Sequence, residues 1–522
     1  MSRKIKVVTM YLPQYYRTPE NDKWWGDGYT DWTAVKNADK YFESQNQPRV
    51  PLDNNYYDLS QVETLRWQAD LMNKYGIDGQ CFYHYYFKNG RKILEKPVEL
   101  LLQNKDINMP FCFCWANDPW ARSWSKISNS NQWSEKFESK CGSQILLEQD
   151  YGNEQDWKEH FDYLNQFFKD DRYIKINNRP LFIIYRPEAI TCLEKMIDTF
   201  NWYACECGYS GICIWGANLT RTISKLDAAI YIHASSYFNP DISGLYIEEK
   251  RNNNIRTYKY DDVWNNILQT KPIDGMKTYY GGIVDQDDTP RRGKLGFCLT
   301  EVTLDKFKSY LYKLALKNMV SGCEYLFIDA WNEWGEGNYL EPDEERKYSY
   351  LDAVKMVKEQ LPDNICDIEK QWDKVKKNIK SQGQGGIVKQ LKKYKKYYSI
   401  LNQWLQIKEN NLFISEYFER KNWTHIAIYG FMALGNHLLH ELKESNVKVE
   451  IIIDRRNELV CPGISIIEPD KMIPNVDVVV VTPVYDYEII KENLKGKTNA
   501  QIISIESVIN ECYNILLKSG KR

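Results

Sequence analysis

The sequence predicts an α/β protein: a (β/α)8 TIM barrel, then a basic helical linker, then a small Rossmann-like, doubly wound domain. Three observations carry this reading. Short β-rich runs alternate with helical patterns over the first two thirds of the chain, which argues for a parallel sheet. The composition then turns lysine-rich and helical. A strand, a glycine turn, a helix and another strand follow in close order near the end. The boundaries fall at 1–361, 362–421 and 422–522. An open doubly wound sheet is the rival architecture for the first part.

Eight strand candidates lie in that first part. They are KVVTMYLPQ from Lys6, DGQCFYHY from Asp78, PFCFCWA from Pro110 and PLFIIYR from Pro180. GICIWGA from Gly211, AAIYIHA from Ala228, KTYYGGIVD from Lys277 and EYLFIDAW from Glu324 complete the set. Amphipathic helices fall between several of them. One begins at Ser60, where Glu63 completes a capping-box pattern, and Val62, Leu65, Ala69 and Met72 keep helical spacing. Another is expected near Glu344 to Leu361. Eight strands with helices fit a closed barrel, whose chemistry sits at the C-terminal strand ends.

In the linker, Lys374 to Lys396 holds nine lysines and no acidic residue. One reading is a solvated basic linker. The other is docking to anionic lipid or an acidic polymer, which would make the protein peripheral to a membrane. From Asn422, THIAIYGFMALGNHLLHELKESNVKVEIIIDRRN reads as strand, glycine turn, helix and strand, and DVVVVTP and AQIISI add two strands. The dinucleotide fingerprint is incomplete. Gly430 and Gly435 are present, but Met432 stands where a second glycine would let the backbone meet a pyrophosphate. Asp454 is spaced for a ribose contact. Cofactor binding through Gly430, Gly435 and Asp454, and a structural or partner-binding module, both stay open.

Bulk properties exclude several classes. A net charge of −2 gives no basic field for nucleic acid. Thirteen cysteines without a regular frame read as buried, reduced thiols. The first residues read as a strand rather than a signal peptide, and no apolar run approaches the roughly 20 residues of a membrane span. The expected location is cytoplasmic, with peripheral contact at the inner membrane face as the extension of the lysine reading. There is no G-x-S-x-G elbow, P-loop or H-E-x-x-H, and no spacing asks for a metal. Aromatics reach 14 %, with 38 Tyr and 17 Trp, and the Trp and Tyr concentrate in the first two thirds. Sugars stack on such rings; a tyrosine-rich core is the plainer reading.

The stretch FIDAWNEWGEGNYLEPDEER, Phe327 to Arg346, follows the eighth strand and gathers carboxylates among tryptophans and glycines. Breaking a glycosidic bond needs a proton donor at the leaving oxygen and a group that manages charge at the anomeric carbon. Glu333 and Glu336, at i and i+3, can converge to do both. Gly335 and Gly337 would leave room for a ligand, and Trp331 and Trp334 would supply a stacking wall and a low polarity that raises a glutamate pKa. Other strand ends offer Tyr83, His84, Tyr85, Trp115, Asn117 and Trp124. Further on they offer Tyr185, Trp215, Asn218, His233 and the run DQDDTPRR, which starts at Asp285. Together they read as a polar, aromatic cleft.

MYLPQYYRTPENDKWWGDGYTDW, GIDGQCFYHYYF, FCFCWANDPWARSW and DAWNEWGEGNYLEPD resemble the WbsX-type glycosyltransferase proteins, themselves similar to glycoside hydrolase family 99, the endo-acting α-mannosidases and α-mannanases. The resemblance covers roughly residues 5 to 360. It implies a (β/α)8 barrel and retaining cleavage through a 1,2-anhydro sugar. By the E-W-x-E-G match it implies Glu333 as base at the sugar 2-hydroxyl and Glu336 as acid/base. It also implies sugar subsites lined by Tyr83, His84, Asn117 and Trp124, and a setting in bacterial surface-polysaccharide assembly beside other assembly proteins. Three readings follow. One is a glycosidase-like enzyme on an oligo- or polysaccharide, with no cofactor. The second is a glycosyltransferase of O-antigen or capsule biosynthesis with a nucleotide-sugar donor. The third is a non-catalytic glycan-binding scaffold.

Overall fold

The computed structural model describes residues 4–121, 145–232, 247, 249–455 and 461–518. The chain divides into two compact units, Met1–Gly383 and Gln384–Arg522.

The first unit is built on a ring of parallel strands. In chain order these are β1 (Lys6–Tyr11), β2 (Gly79–Tyr86), β3 (Phe111–Trp115), β4 (Arg179–Ile184), β5 (Cys213–Ala217), β6 (Ala228–Tyr231), β7 (Thr278–Tyr280, resumed at Gly282–Ile283) and β8 (Tyr325–Asp329). Each pairs in parallel with the next. β8 returns to β1, with Lys6 opposite Tyr325. The ring closes at β7, whose first part pairs with β6 and whose second part pairs with β8, Gly282 opposite Ile328. Gly281 is the switch between the two. A Cβ there would lie 2.6 Å from the Tyr231 carbonyl oxygen and 3.2 Å from Ile232 Cα. Only a residue without a side chain lets β7 cross from one neighbour to the other.

The strands are apolar on both faces because both are covered. Helices α1 (Val62–Lys74), α2 (Lys96–Gln103), α3 (Glu154–Phe168), α4 (Leu193–Glu206), α5 (Tyr260–Gln269) and α6 (Leu304–Val320) lie between successive strands, and α7 (Ser349–Gln360) follows β8. Alternation along β2 decides which side chains reach the cleft. Tyr83 and Tyr85 line it, whereas His84 and Tyr86 pack on His160 of α3.

Three expectations need correction here. α1 is not capped by Ser60. Its N-cap is Gln61, without a side-chain cap bond, because the Ser60 amide is already taken by Asp58 Oδ1 at 2.7 Å. The helix after β8 starts at Ser349 rather than near Glu344, since Asp343 first bridges to Pro51 and Arg346 reaches Asp285. Among the described cysteines all are free, and Cys205 and Cys207 are exposed rather than buried.

Past α7 runs a 45-residue helix, α8 (Ile365–Glu409), followed by a short helix, Ser415–Arg420. The second unit contains a five-stranded parallel sheet. Its strands are β9 (His425–Tyr429), β10 (Lys448–Ile453), β11 (Ser465–Ile467), β12 (Val478–Val481) and β13 (Gln501–Ser504), in spatial order β11-β10-β9-β12-β13. Separate apolar clusters form on alternate residues of β9, Ile426 and Ile428 in one, Ala427 and Tyr429 in the other. The helix α9 (Ala433–Leu442) follows β9.

Gly281→Ala is expected to destabilise the first unit by roughly 1–3 kcal/mol, the usual range for a small overpacking. Urea unfolding checks this, and an unchanged midpoint would remove Gly281 from its role in closing the ring.

Candidate active site

Beyond β8 the chain doubles back as a short antiparallel pair, Asn332–Glu333 with Asn338–Tyr339, joined through the 3-10 turn Trp334–Glu336. Tyr15 fixes the backbone on both sides of Glu333. Its hydroxyl donates to the Asn332 carbonyl at 2.6 Å and accepts from the Trp334 amide at 3.0 Å. Glu336 is held through its own carbonyl, which accepts from the Asp287 amide at 2.6 Å. Arg49 donates to the Gly337 carbonyl at 2.7 Å and pairs with the buried Asp285 at 2.9 Å. The loop that carries both glutamates is thus anchored at each end.

Both side chains line a cleft of about 270 Å³ at the C-terminal ends of the barrel strands. One cation joins them. Arg291 Nη2 lies 2.8 Å from Glu333 Oε2 and Nη1 lies 2.8 Å from Glu336 Oε1. The same guanidinium makes a two-pronged bond to Asp31, Nε to Oδ1 at 3.0 Å and Nη2 to Oδ2 at 2.9 Å. Gln286 Nε2 donates to Glu336 Oε2 at 3.2 Å. The Asp31, Glu333 and Glu336 side chains keep only 2 %, 9 % and 17 % of their exposure.

Three carboxylates therefore share one positive charge in a desolvated space. Burial pushes the Glu333 carboxyl up to about 8; Arg291 pulls it down, and Glu336 and Asp31 add to the rise. Asp288, also in the cleft wall, is pushed up to about 7 by burial, against the pull of Arg292. The cleft mouth carries two further ion pairs, Arg186 with Asp118 at 2.9 Å and Arg292 with Asp288 at 3.3 Å. Its walls are aromatic: Trp25, Tyr29, Tyr83, Tyr85, Trp120 and Tyr185. Trp120 sits edge-on to Tyr85 and tilted against Trp24, with ring centres 5.4 and 5.3 Å apart.

Of the residues singled out from sequence, Glu333, Glu336, Tyr83, Tyr85 and Tyr185 meet in this cleft, together with Gln286, Asp288, Arg291 and Arg292 of the run DQDDTPRR. Others lie elsewhere. His84 points away from the barrel axis, with Nε2 2.9 Å from His160 Nε2, and burial pushes it down to about 3, so it is neutral. Trp115 faces the same helical layer, donating to the Tyr86 carbonyl and packing edge-on to His160. Trp215 is a core ring stacked 4.0 Å from Tyr279. Trp331 and Trp334 are fully buried and form no wall of the cleft. Trp334 stacks on Tyr339 and donates to Glu341 at 2.7 Å. Trp124 and His233 lie outside the described residues.

Asn117 and Asn218 serve the backbone. Asn117 addresses both main-chain groups of Arg186, Oδ1 accepting from N at 2.7 Å and Nδ2 donating to O at 2.9 Å. Asn332 treats Leu12 in the same way, at 2.8 and 2.9 Å. Asn218 adopts a left-handed φ of 53° and accepts from the Ile232 amide at 3.3 Å.

The glycines of the motif also act differently from expectation. A Cβ on Gly335 would lie 2.5 Å from both Arg291 Nε and Asp31 Oδ2, and one on Gly337 would lie 2.9 Å from Arg49 Cζ. The room they leave is filled by arginines rather than by a ligand. Sequence spacing does not single out Arg291, Asp31 or Gln286 for the site. Arg291 and Gln286 sit in the run DQDDTPRR and Asp31 in GYTDW, but no spacing joins loops so far apart.

In the second unit, Gly435 packs where a Cβ would come 2.2 Å from the Gly430 carbonyl oxygen, and Gly430 has a φ of 87°. Asp454 Oδ2 accepts from the Phe431 amide at 2.7 Å, so this carboxylate is engaged by the turn itself. Among the described residues no group of His, Cys, Asp and Glu is arranged to hold a metal.

Known proteins share parts of this chain. Two curated relatives, both called uncharacterized protein WxcX, from two strains of Xanthomonas campestris pv. campestris, are 30 % identical over 371 residues, 69 % of this chain. The chain spans about half the length of these relatives, 51 %. Among solved structures, an endo-alpha-mannosidase of family GH99 from Bacteroides thetaiotaomicron, in complex with bis-tris-propane, aligns with a TM-score of 0.42 and 15 % identity. That alignment covers 70 % of this chain and 97 % of the other. A glycoside hydrolase-like protein aligns with a TM-score of 0.41 and 12 % identity, over 68 % of this chain and 94 % of its own. The family described as Glycosyltransferase WbsX matches residues 7–354, two thirds of the sequence, and the chain belongs to that family.

Proposed function

We propose that the chain is a carbohydrate-active enzyme acting at glycosidic bonds of a bacterial surface polysaccharide or its precursor, with Glu333 and Glu336 as the reacting carboxyl pair. The observation that carries this is the buried carboxyl pair bridged by Arg291 at the floor of an aromatic cleft. Aromatic walls suit the C–H faces of sugars, and two carboxyl groups with different surroundings suit proton transfer at a glycosidic oxygen.

The roles follow the resemblance of the E-W-x-E-G motif. Glu333 takes the proton of the sugar 2-hydroxyl, and that oxygen closes on the anomeric carbon. Glu336 protonates the leaving oxygen, then deprotonates the hydroxyl or water that opens the 1,2-anhydro ring. The raised Glu333 pKa supports the first role, because a carboxylate that binds protons tightly is the stronger base once ionised. Arg291 orients both carboxylates and Tyr15 keeps the backbone beside Glu333 from moving.

A second reading has a separate observation behind it. The second unit's parallel sheet runs 3-2-1-4-5 in chain-order numbering, and the turn at Gly430 opens α9 directly after its central strand. This supports a Rossmann-like domain, and with it a transferase reading in which that domain binds a nucleotide-sugar donor. Titration calorimetry of the full chain with a panel of nucleotide sugars is expected to show binding only if this reading holds. Silence across the panel sinks it.

Glu336→Gln is expected to lower turnover of the surface polysaccharide or its lipid-linked precursor roughly 10²–10⁴-fold, with saccharide binding retained. Product mass and NMR provide the readout, and unchanged turnover would end the assignment. With Glu333 ionised as base and Glu336 protonated as acid, the rate should be bell-shaped in pH, its rising limb following ionisation of Glu333 and its falling limb following loss of the Glu336 proton. Stability should move opposite to the rising limb. A carboxyl whose folded pKa is raised favours the native state fully below its ordinary range and loses that contribution as pH rises through about 8. Glu333→Gln should flatten this loss in thermal melts, and equal pH slopes for variant and parent would contradict it.

A further inference from the structure

The part of α8 in the second unit carries two apolar stripes. Ile400, Trp404 and Ile407 are buried in that unit's core. On a neighbouring face Tyr398, Leu401 and Leu405 stand 73 %, 39 % and 55 % exposed. Positions i, i+3 and i+7 share one side of a helix. The sequence keeps the same three-and-four spacing towards the N-terminus at Tyr394, Leu391 and Ile387. From Gln384 to Lys408 the helix also holds six lysines and no acidic residue. Lys395 is exposed, and Lys396 pairs with Glu506 at 2.8 Å.

Charge decides which occupant fits this face. A second copy would bring two acid-free lysine segments together and repel. An acidic polymer would answer the lysines and leave the tyrosine and leucine side chains in water. A bilayer containing anionic lipid answers both, with the apolar stripe entering the boundary between headgroups and acyl chains and the lysines meeting lipid phosphates. We propose that this face of α8 docks the protein on an anionic lipid surface. The helix lies along the surface, since no helix among the described residues is long and apolar enough to cross a membrane.

The test uses the full chain in co-sedimentation with vesicles of phosphatidylcholine alone, and with vesicles in which a third of the lipid is phosphatidylglycerol. Binding is expected only to the second, and should weaken as salt is raised. Tyr398→Ser/Leu401→Ser/Leu405→Ser, all at exposed positions, should reduce binding about tenfold or more while the melting temperature holds. Lys389→Gln/Lys392→Gln/Lys393→Gln/Lys395→Gln should do the same and spare the Lys396 pair. No binding, or equal binding to both vesicles, overturns the proposal. A serine variant that binds like the parent while the glutamine variant fails also overturns it and gives the face to an acidic polymer. Dimerisation that the serine variant abolishes, without vesicle binding, gives it to a second copy.

Discussion

Three carboxylates brought together out of water repel one another and lose their hydration, and each alone would cost several kcal/mol to bury as an ion. Arg291 is what allows the floor of this cleft to exist. Its planar guanidinium offers donors in a fixed fork, so it bonds Asp31 with two nitrogens and still reaches Glu333 and Glu336. Much of the surrounding structure serves that placement. Gly335 has no side chain because Arg291 and Asp31 pass where a Cβ would be. Tyr15, which lies 3.2 Å from Asp31 as well, ties the β1 loop to the glutamate loop. The charge count also accounts for a proton that stays with the cluster near neutrality. One guanidinium cannot neutralise three acids, and protonating Glu333, which burial and the neighbouring carboxylates push up, relieves part of the remaining repulsion.

A second buried acid lies on the other side of the same loop. Glu341 accepts from Trp334, Gln68 and Tyr57, and burial pushes it up to about 7. Trp334 thus has its ring against Tyr339 and its nitrogen on a carboxylate, which fixes the residue between the two cleft glutamates without exposing it to the cleft. The aromatic excess of the sequence is divided in this way. Tyr83, Tyr85, Tyr185, Trp25 and Trp120 face the cleft, while Trp115, Trp215, Trp331 and Trp334 hold the barrel and its loops.

The strand pattern was legible because both faces of a closed parallel sheet are dry, so its strands read as continuous apolar runs set between helical periods. The glutamate pair was legible from its place after the last such run. Which neighbours join it was not. His84 and Tyr85 are adjacent and equally polar in sequence, yet the pleat sends one to His160 and the other to the cleft. A one-residue uncertainty in register is enough to exchange them. The link between Asp31 and Arg291, the latter inside the run DQDDTPRR, escaped for a different reason: they are 260 positions apart and meet only because two loops fold over one rim. The capping motif at Ser60 loses a local competition, the Asp58 carboxylate reaching the amide first.

Asparagines that address main chain at the strand ends carry a further consequence. A carboxamide that accepts from one main-chain N–H and donates to the C=O of the same residue reproduces what a neighbouring strand would offer. Asn117 does this for Arg186, Asn332 for Leu12 and Asn318 for Tyr280. The last rung of the barrel is therefore written in side chains. Segments above the rim can lengthen, shorten or be exchanged while Arg186 and Leu12 stay where the cleft needs them. The scaffold separates holding a wall from shaping a mouth.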